Sequence, residues 1–499
     1  MTAQTATKPR RISTASTLGF VRRNWEILAF AAALLACCLY YATALGCRID
    51  DSFIYLRVAE NFLDSGRPIY NIGDERFIST SPLWLFLIIA AKLVVWGAEL
   101  TSISKWLYIL SLVASSLCLR SICRGRYPLA ASLAPLAVFC SPLAINAVGM
   151  EFAVTLATGL ALIRAFERQK WILFGFCGGL FYLARSEGAL LVAVMMAVFV
   201  GRMYRQSGSR REFLARVWTP IDACLIVVMI WHLYYLMSFG RFFPDTLHAK
   251  IEQGLSGIWP LYHQSILKNL FQTARGHGLA CGLMLVGAVA MARRFPWIAG
   301  WAAIQTAAYC MLRVPEYVWY YHSLVFAASF SLLVGVETTL RFIRRGWPRL
   351  HPAAAILLVA FVLYWSNLPQ SRFAPWQDPR RNAYRQAAEW IRTQDAGPKT
   401  IVMDEIGIVG YCLKDYSVFD TVGLSSPGVT RQTMARIEPL VRVHAPSFVV
   451  LRIPQGKPAP PAELSYAVDG EPRPIKYRRG LMTNLKAGFA AAVYARASS

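Results

Sequence analysis

The sequence predicts a polytopic all-α membrane domain followed by a small α/β domain outside the membrane. Three observations carry this. Apolar runs long enough to cross a bilayer recur from residue 25 to about 368. Across the 499 residues, 56% are apolar and 16% are charged, against about 25% charged in soluble domains. Beyond residue 369 the composition returns to that of a soluble chain, with strand-like runs and glycine-rich turns.

Residues 1–24 are polar and basic, with Lys8, Arg10, Arg11, Arg22 and Arg23. They predict a cytoplasmic N-terminal tail. The apolar run 25–46 is a first span rather than a cleavable signal, because it is about twenty residues long and no small-residue cleavage pattern follows. The first outer loop, 47–102, holds two juxtamembrane helices. In the first, Ile54, Val58 and Phe62 share one face, Arg57, Glu60, Asn61 and Asp64 lie opposite, and Gly66 and Pro68 end it. The second, about 83–96, is short for a span and contains Lys92. Keeping it in the outer interface leaves Arg120, Arg124 and Arg126 inside. Later runs at about 103–123 and 127–148, one returning from Glu151 to Arg164, then 171–184, 188–202 and 217–239, one ending at Arg293 and Arg294, one ending outside at Arg313, one ending at Arg341, and 351–368 then place every basic loop on the cytoplasmic face. The count is about eleven spans, and the tail 369–499 emerges outside. There, 382–393 reads as an amphipathic helix, and 400–403 and 447–453 read as strands.

The net charge of +24 resides in those short loops, which argues against nucleic acid as a partner. The 11 cysteines show no paired spacing, so neither a disulfide framework nor a metal site is implied.

Polar residues gather at the predicted outer ends of the spans: Asp50, Asp51, Glu151, Arg185, Glu187, Asp245, His248, Lys250, Arg313, Glu316 and His322. Charges at membrane depth are costly and mark function more often than surface charges do. Transfer of a sugar from a polyprenyl phosphate needs one carboxylate base for the acceptor hydroxyl and cations for the departing phosphate. Asp50 or Asp51 suits the first task, and Lys250, Arg185 or Arg313 the second. A divalent cation on the carboxylates is compatible with this chemistry but not required by it. Each residue also has a structural reading. Asp51 is suited to cap the helix that starts beside it. Arg185 and Glu187 suit a hairpin-turn ion pair, and Lys250 an interfacial snorkelling lysine. His248, His322 and His232 read as hydrogen-bonded structural histidines, Trp319, Tyr320 and Tyr321 as an interfacial belt. Gly407 and Gly410 give a weak phosphate-loop signal.

The stretch IDDSFIYLRVAENFLDSGRPIYNIGDERFISTSPLW resembles the first outer loop of bacterial GT-C glycosyltransferases, closest to the branch of the mycobacterial terminal arabinofuranosyltransferase. More distantly it is similar to the protein mannosyltransferases and the lipid A aminoarabinose transferases. VGMEFAVTLA (148–157), LARSEGALL (183–191), FGRFFPDTLHAK (239–250) and DEIGIVGYCLKDYSVFDTVGLSSP (404–427) resemble further segments of that branch, in order along the chain. Ser186, Asp245 and Phe152 depart from its pattern. The resemblance implies a GT-C fold, a lipid-phosphate-sugar donor, an outward-facing site and a catalytic aspartate, here Asp50 or Asp51 with Asp50 preferred. Lys250, Arg185 and Glu151 inherit a donor-site role, and Glu187, Asp245, His248 and Arg313 stand beside them. The expected function is transfer of an arabinofuranose-like pentose or a hexose to a cell-envelope glycan, lipid or protein at the bacterial inner membrane. The competing readings are a lipid-linked-sugar transporter or flippase, which expects paired repeats and broken mid-membrane helices absent from this sequence, and a non-catalytic assembly factor on the same fold.

Overall fold

The computed structural model describes residues 14–497, except 48, 75, 243–244, 275–277, 347–379, 395–397, 427, 455–457, 468, 470–473 and 484–488. The expected span at 351–368 lies outside the described residues, as do residues 1–13 of the N-terminal tail.

The membrane domain opens with helix α1 (Thr14–Ala44). The first loop carries α2 (Asp50–Ser65) and α3 (Pro82–Val94). Then follow α4 (Leu100–Cys123), three short helices α5 (Pro128–Ser132), α6 (Ala134–Phe139) and α7 (Pro142–Asn146), and α8 (Phe152–Glu167). Next are α9 (Trp171–Ala184), α10 (Gly188–Gln206) and α11 (Arg210–Phe239). The loop helices α12 (Asp245–Leu255) and α13 (Tyr262–Ala274) lead into α14 (Gly278–Arg294) and α15 (Pro296–Met311). A 3₁₀ turn at Val318–Tyr321 runs into α16 (His322–Gly346). Among the described residues, five helices are long and apolar enough to cross a membrane, and α14 with α15, bent by 109°, gives a sixth if taken as one span. The chain is a multi-pass membrane protein.

One expected span is built differently. Residues 127–148 form α5, α6 and α7, because Pro128, Pro135 and Pro142 each restart the helix. The segment is buried along almost its whole length, against α1, α4 and α16, so neighbouring helices enclose its interrupted backbone. The basic ends meet at one end of the bundle. Arg126 reaches Glu167 at 3.8 Å and the Arg294 carbonyl at 3.2 Å, and Arg341 donates to the Arg126 carbonyl at 2.5 Å.

The C-terminal domain is a six-stranded mixed sheet in the order β2-β1-β3-β6-β5-β4. Strands β1 (Thr400–Met403), β2 (Ser417–Asp420) and β3 (Phe448–Pro454) are parallel. Strands β4 (Glu463–Tyr466), β5 (Ile475–Met482) and β6 (Phe489–Arg496) extend the sheet in antiparallel fashion. Helices α17 (Arg380–Thr393), α18 (Gly407–Cys412) and α19 (Glu438–His444) complete it. The expected helix at 382–393 and strands at 400–403 and 447–453 are present within a few residues. Tyr384, Ala387, Ala388 and Ile391 form the buried face of α17.

The polar face of α2 is only partly solvated. Asp64 stays exposed, whereas Asn61 is buried and donates to the Ile69 and Tyr70 carbonyls, and Arg57 is 0% exposed beneath the C-terminal domain. Helix α18 lies directly on α2. A Cβ at Gly407 would sit 1.9 Å from the Asp50 carbonyl oxygen, and one at Gly410 1.8 Å from Tyr70 Oη. Both positions require glycine so that the backbones can approach. Their spacing reflects helix packing, not a phosphate loop.

Candidate functional site

Helix α2 begins with both aspartates in its first turn. Ile49 is the N-cap, and neither carboxylate caps the helix. Successive helical residues point about 100° apart, so the two side chains diverge. Asp50 turns toward the C-terminal domain. Its Oδ2 accepts the Gly407 N–H at 2.7 Å and its Oδ1 the Ile408 N–H at 2.8 Å, so it caps the N-terminus of α18. Seven residues on, Arg57 lies on the same face of α2. Its guanidinium donates to the carbonyls of Gly410 at 2.7 Å, in the last turn of α18, and of Tyr416 at 2.6 Å, beyond that helix. It also donates to the Tyr70 carbonyl at 2.7 Å and to Asn71 Oδ1 at 3.1 Å. A hydrogen-bond acceptor at the start of α18 and a cation at its end suit the helix dipole. Burial, and next the charge of Glu405, push the Asp50 carboxyl up to about 7, against the pull of the Ile408 N–H.

Asp51 faces a different way. It lines a small cavity of about 50 Å³ with Tyr55, Thr80, Glu151, Arg185, Lys250, Trp319, Tyr320 and Leu424 among its walls. Asp51 is half-buried, and among the described residues nothing donates a hydrogen bond to its carboxylate. Burial raises the Asp51 carboxyl to about 6, and the positive charges of Lys250 and Arg380 limit that rise.

Glu151 enters the cavity from the turn before α8. Gly149 makes that turn at φ 93°, and a Cβ there would sit 2.7 Å from Cys47 Sγ. The glycine thus brings Glu151 beside α2. Glu151 Oε1 accepts from Arg185 Nη1 at 2.6 Å, and its Oε2 from Tyr55 Oη at 3.1 Å. Arg185 Nε also donates to Glu187 Oε1 at 2.5 Å, and Tyr309 Oη bonds the same oxygen. Burial opposes ionisation of Glu187, but Arg185 and the Tyr309 hydroxyl outweigh it and hold the carboxyl at about 2. Arg185 is therefore clamped between two carboxylates, and the trio carries a net negative charge.

Lys250 is the second cation lining the cavity. Its Nζ donates to Gln253 Oε1 at 3.2 Å and lies 4.3 Å from the centre of the Tyr317 ring. No carboxylate bonds to it among the described residues. Burial lowers the Lys250 ammonium pKa, opposed by the Asp51 and Asp420 charges.

The fold thus gathers Asp51, Glu151, Arg185 and Lys250 around one cavity. Glu187 stands behind Arg185. Asp50, the aspartate the resemblance prefers, points into the domain interface instead. Arg313 is exposed, with a positive φ of 51°, and does not line the cavity. The side chains of Asp245 and His248 lie outside the described residues. Glu316 accepts from Asn269 at 2.7 Å, and His232 bonds Tyr182 Oη and the Phe242 carbonyl, both at 2.8 Å. Sequence reasoning missed Tyr55, Thr80 and Leu424. The last arrives from the segment after β2, where Asp420 accepts N–H bonds from Val422, Leu424, Ser425 and Ser426. The GLSSP segment of the resemblance was the available signal. No group of three or more metal-ligating side chains occurs among the described residues.

An apolar groove of about 840 Å³ lies on the other side of the 3₁₀ turn, between α13, α14, α15 and α16. Trp319 and Tyr320 line the cavity, whereas Tyr321, Leu324 and Val325 line the groove.

Residues 373–492 match a family model described as a domain of unknown function, DUF8728. No curated protein matches the chain. Among solved structures, ArnT from Cupriavidus metallidurans bound to undecaprenyl phosphate superposes with a TM-score of 0.58 at 13% identity, covering 95% of this chain and 99% of that one. The arabinofuranosyltransferase AftD from Mycobacteria gives 0.49 at 14% identity, with 96% of this chain and 42% of that one covered. The Archaeoglobus fulgidus oligosaccharyltransferase gives 0.46 at 11% identity, with 84% and 67% covered. The chain has the GT-C fold seen in ArnT, with a small six-stranded domain at its C-terminus.

Proposed function

We propose that the chain is a membrane glycosyltransferase that takes a sugar from a polyprenyl-phosphate donor, with Asp51 as the base. The observation that carries the reading is, among the described residues, a carboxylate without a hydrogen-bond donor facing the same cavity as an ammonium without a carboxylate partner. The acceptor hydroxyl gives its proton to Asp51 as its oxygen attacks the anomeric carbon. The carbon–oxygen bond to the phosphate breaks, and the phosphate leaves with the electron pair. Lys250 balances the charge that grows on that phosphate, so no general acid is needed. The Glu151–Arg185–Glu187 trio holds the wall opposite Asp51 and orients Tyr55. The apolar groove supports a long isoprenoid tail, because a lipid whose head lies at Tyr320 has its chain beside Tyr321. The transferred sugar is a pentose of the arabinofuranose type or a hexose, and the acceptor is an envelope glycan, lipid or protein. The site opens on the outer face of a bacterial inner membrane.

The test is transfer or hydrolysis of sugar from a panel of polyprenyl-phosphate sugars by purified protein in detergent. Asp51→Asn is expected to lose at least about 100-fold in kcat while melting like the parent. Full activity in a folded Asp51→Asn protein would remove the carboxylate from the mechanism, and no turnover with any donor would remove the reading itself.

A further inference from the structure

A second cleft opens at the far end of the bundle. Helix α8 serves as the ruler. Its N-cap Glu151 lines the Asp51 cavity, and Arg168 follows its C-terminus. At 1.5 Å per residue the two ends lie about 26 Å apart, close to the roughly 30 Å of a bilayer core. The cleft there measures about 1540 Å³ and runs between α8, α9, α10 and α11. Its floor is set where α9 meets α11, since a Cβ at Gly175 would lie 1.9 Å from the Pro220 carbonyl oxygen. Leu173, Phe176, Ile226 and Ile230 line the walls and are exposed to the surroundings at 47%, 45%, 60% and 66%.

The rim is basic. Arg164, Arg168, Lys170 and Arg216 line the cleft, and no Asp or Glu does. Arg216 pairs with Glu212 at 2.6 Å. Arg164 Nε and Arg168 Nη2 both donate to one neutral oxygen, Ser121 Oγ, at 2.9 and 2.8 Å. Two guanidinium groups therefore converge on a hydroxyl that neutralises neither. Among the described residues, Arg164, Arg168 and Lys170 have no carboxylate partner.

We propose that this cleft binds one anionic phospholipid from the leaflet opposite the Asp51 cavity. Its phosphate lies on the Arg164–Arg168–Lys170 rim, and an acyl chain follows the Leu173–Ile226 wall. A zwitterionic lipid carries its own cation to that rim, so the charge pattern selects against it. The site is independent of the glycosyl-transfer reading, because it shares no residue with that cavity.

The test is native mass spectrometry of the delipidated full chain, titrated with phosphatidylglycerol or phosphatidylcholine of identical acyl chains. Wild type is expected to retain one phosphatidylglycerol with at least about tenfold preference. Arg168→Gln with Lys170→Gln is expected to weaken it about 25-fold, at roughly fivefold per charge near a membrane surface. Ala223→Trp, which fills the apolar wall without changing charge, is expected to weaken both lipids. The control is Arg293→Gln with Arg294→Gln at the end of α14, expected to leave retention unchanged. Equal retention of the two lipids by wild type overturns the proposal, as does an equal loss in the control. A polyprenyl phosphate that outcompetes phosphatidylglycerol in wild type but not in the Arg168/Lys170 variant overturns the two-chain lipid as occupant. Should the double-charge variant fail to fold, the wild-type comparison and Ala223→Trp still decide.

Discussion

Replacing Asp50 should undock the C-terminal domain rather than remove the chemistry. In Asp50→Ala, the Gly407 and Ile408 N–H groups lose acceptors at 2.7 and 2.8 Å in a buried interface. Each unsatisfied buried donor costs about 1–3 kcal/mol. Relief from burying the carboxylate, visible in its raised pKa, offsets part of that. A net loss on the order of 3 kcal/mol remains, which corresponds to a melting temperature lower by roughly 5–10 °C. The assay is thermal melting in detergent beside limited trypsin digestion, in which Asp50→Ala should release the C-terminal domain faster. The pH dependence has a definite sign. The Asp50 carboxyl is raised in the folded state, from 3.8 to about 7. Its contribution is therefore full below about pH 4 and is lost as the pH rises through about 7. Asp50→Asn keeps one acceptor oxygen, so it should melt between parent and Asp50→Ala and show a flatter profile over that window. A docking role for Asp50 is refuted if Asp50→Ala melts and resists trypsin like the parent, or if a folded Asp50→Asn protein is inactive while Asp51→Asn retains activity.

Three further outcomes follow from the same geometry. Activity should fall as the pH drops through about 6, where the Asp51 carboxyl takes up its proton; Lys250→Met should move this acid limb to higher pH, because Lys250 favours the ionised form, and an unmoved limb in a pH–rate profile counts against the pairing. Arg57→Met should destabilise the protein by about 3–5 kcal/mol by leaving buried carbonyls without a donor, read as a lower melting temperature and faster release of the C-terminal domain. Gly410→Ala should have a milder effect of about 1–3 kcal/mol, since its Cβ must displace Tyr70 Oη, and introducing Tyr70→Phe into that variant should recover part of the loss in the same melt.

Much of the domain plan was readable because it rests on local patterns. Apolar runs give helices wherever they occur, since a backbone in lipid must satisfy its own hydrogen bonds. The interruptions at Pro135 and Pro142 are also local, but they break a helix without ending a buried segment, so 127–148 read as one span. In the C-terminal domain, β1 and β3 announced themselves by short runs of mostly apolar residues. Strands β4 to β6, with charged residues on alternate positions of β5, did not. Glu151, Arg185 and Lys250 were found because charge at a span end is costly wherever it sits.

The sequence by itself determined a helical membrane domain, a small α/β domain after it, and a set of charged residues at one end of the helices. It also determined that two adjacent carboxylates open α2. Only the tertiary structure decided which of the two faces the cavity. Neighbouring helical residues project about 100° apart, and the partners that separate them come from far along the chain. Asp50 is held by Gly407 and Ile408, and Asp51 looks toward Lys250. The same distance in sequence hid the roles of Arg57, Gly407 and Gly410. A buried guanidinium between two domains, and two glycines needed for close approach, have no local signature, because the groups that require them lie hundreds of residues away.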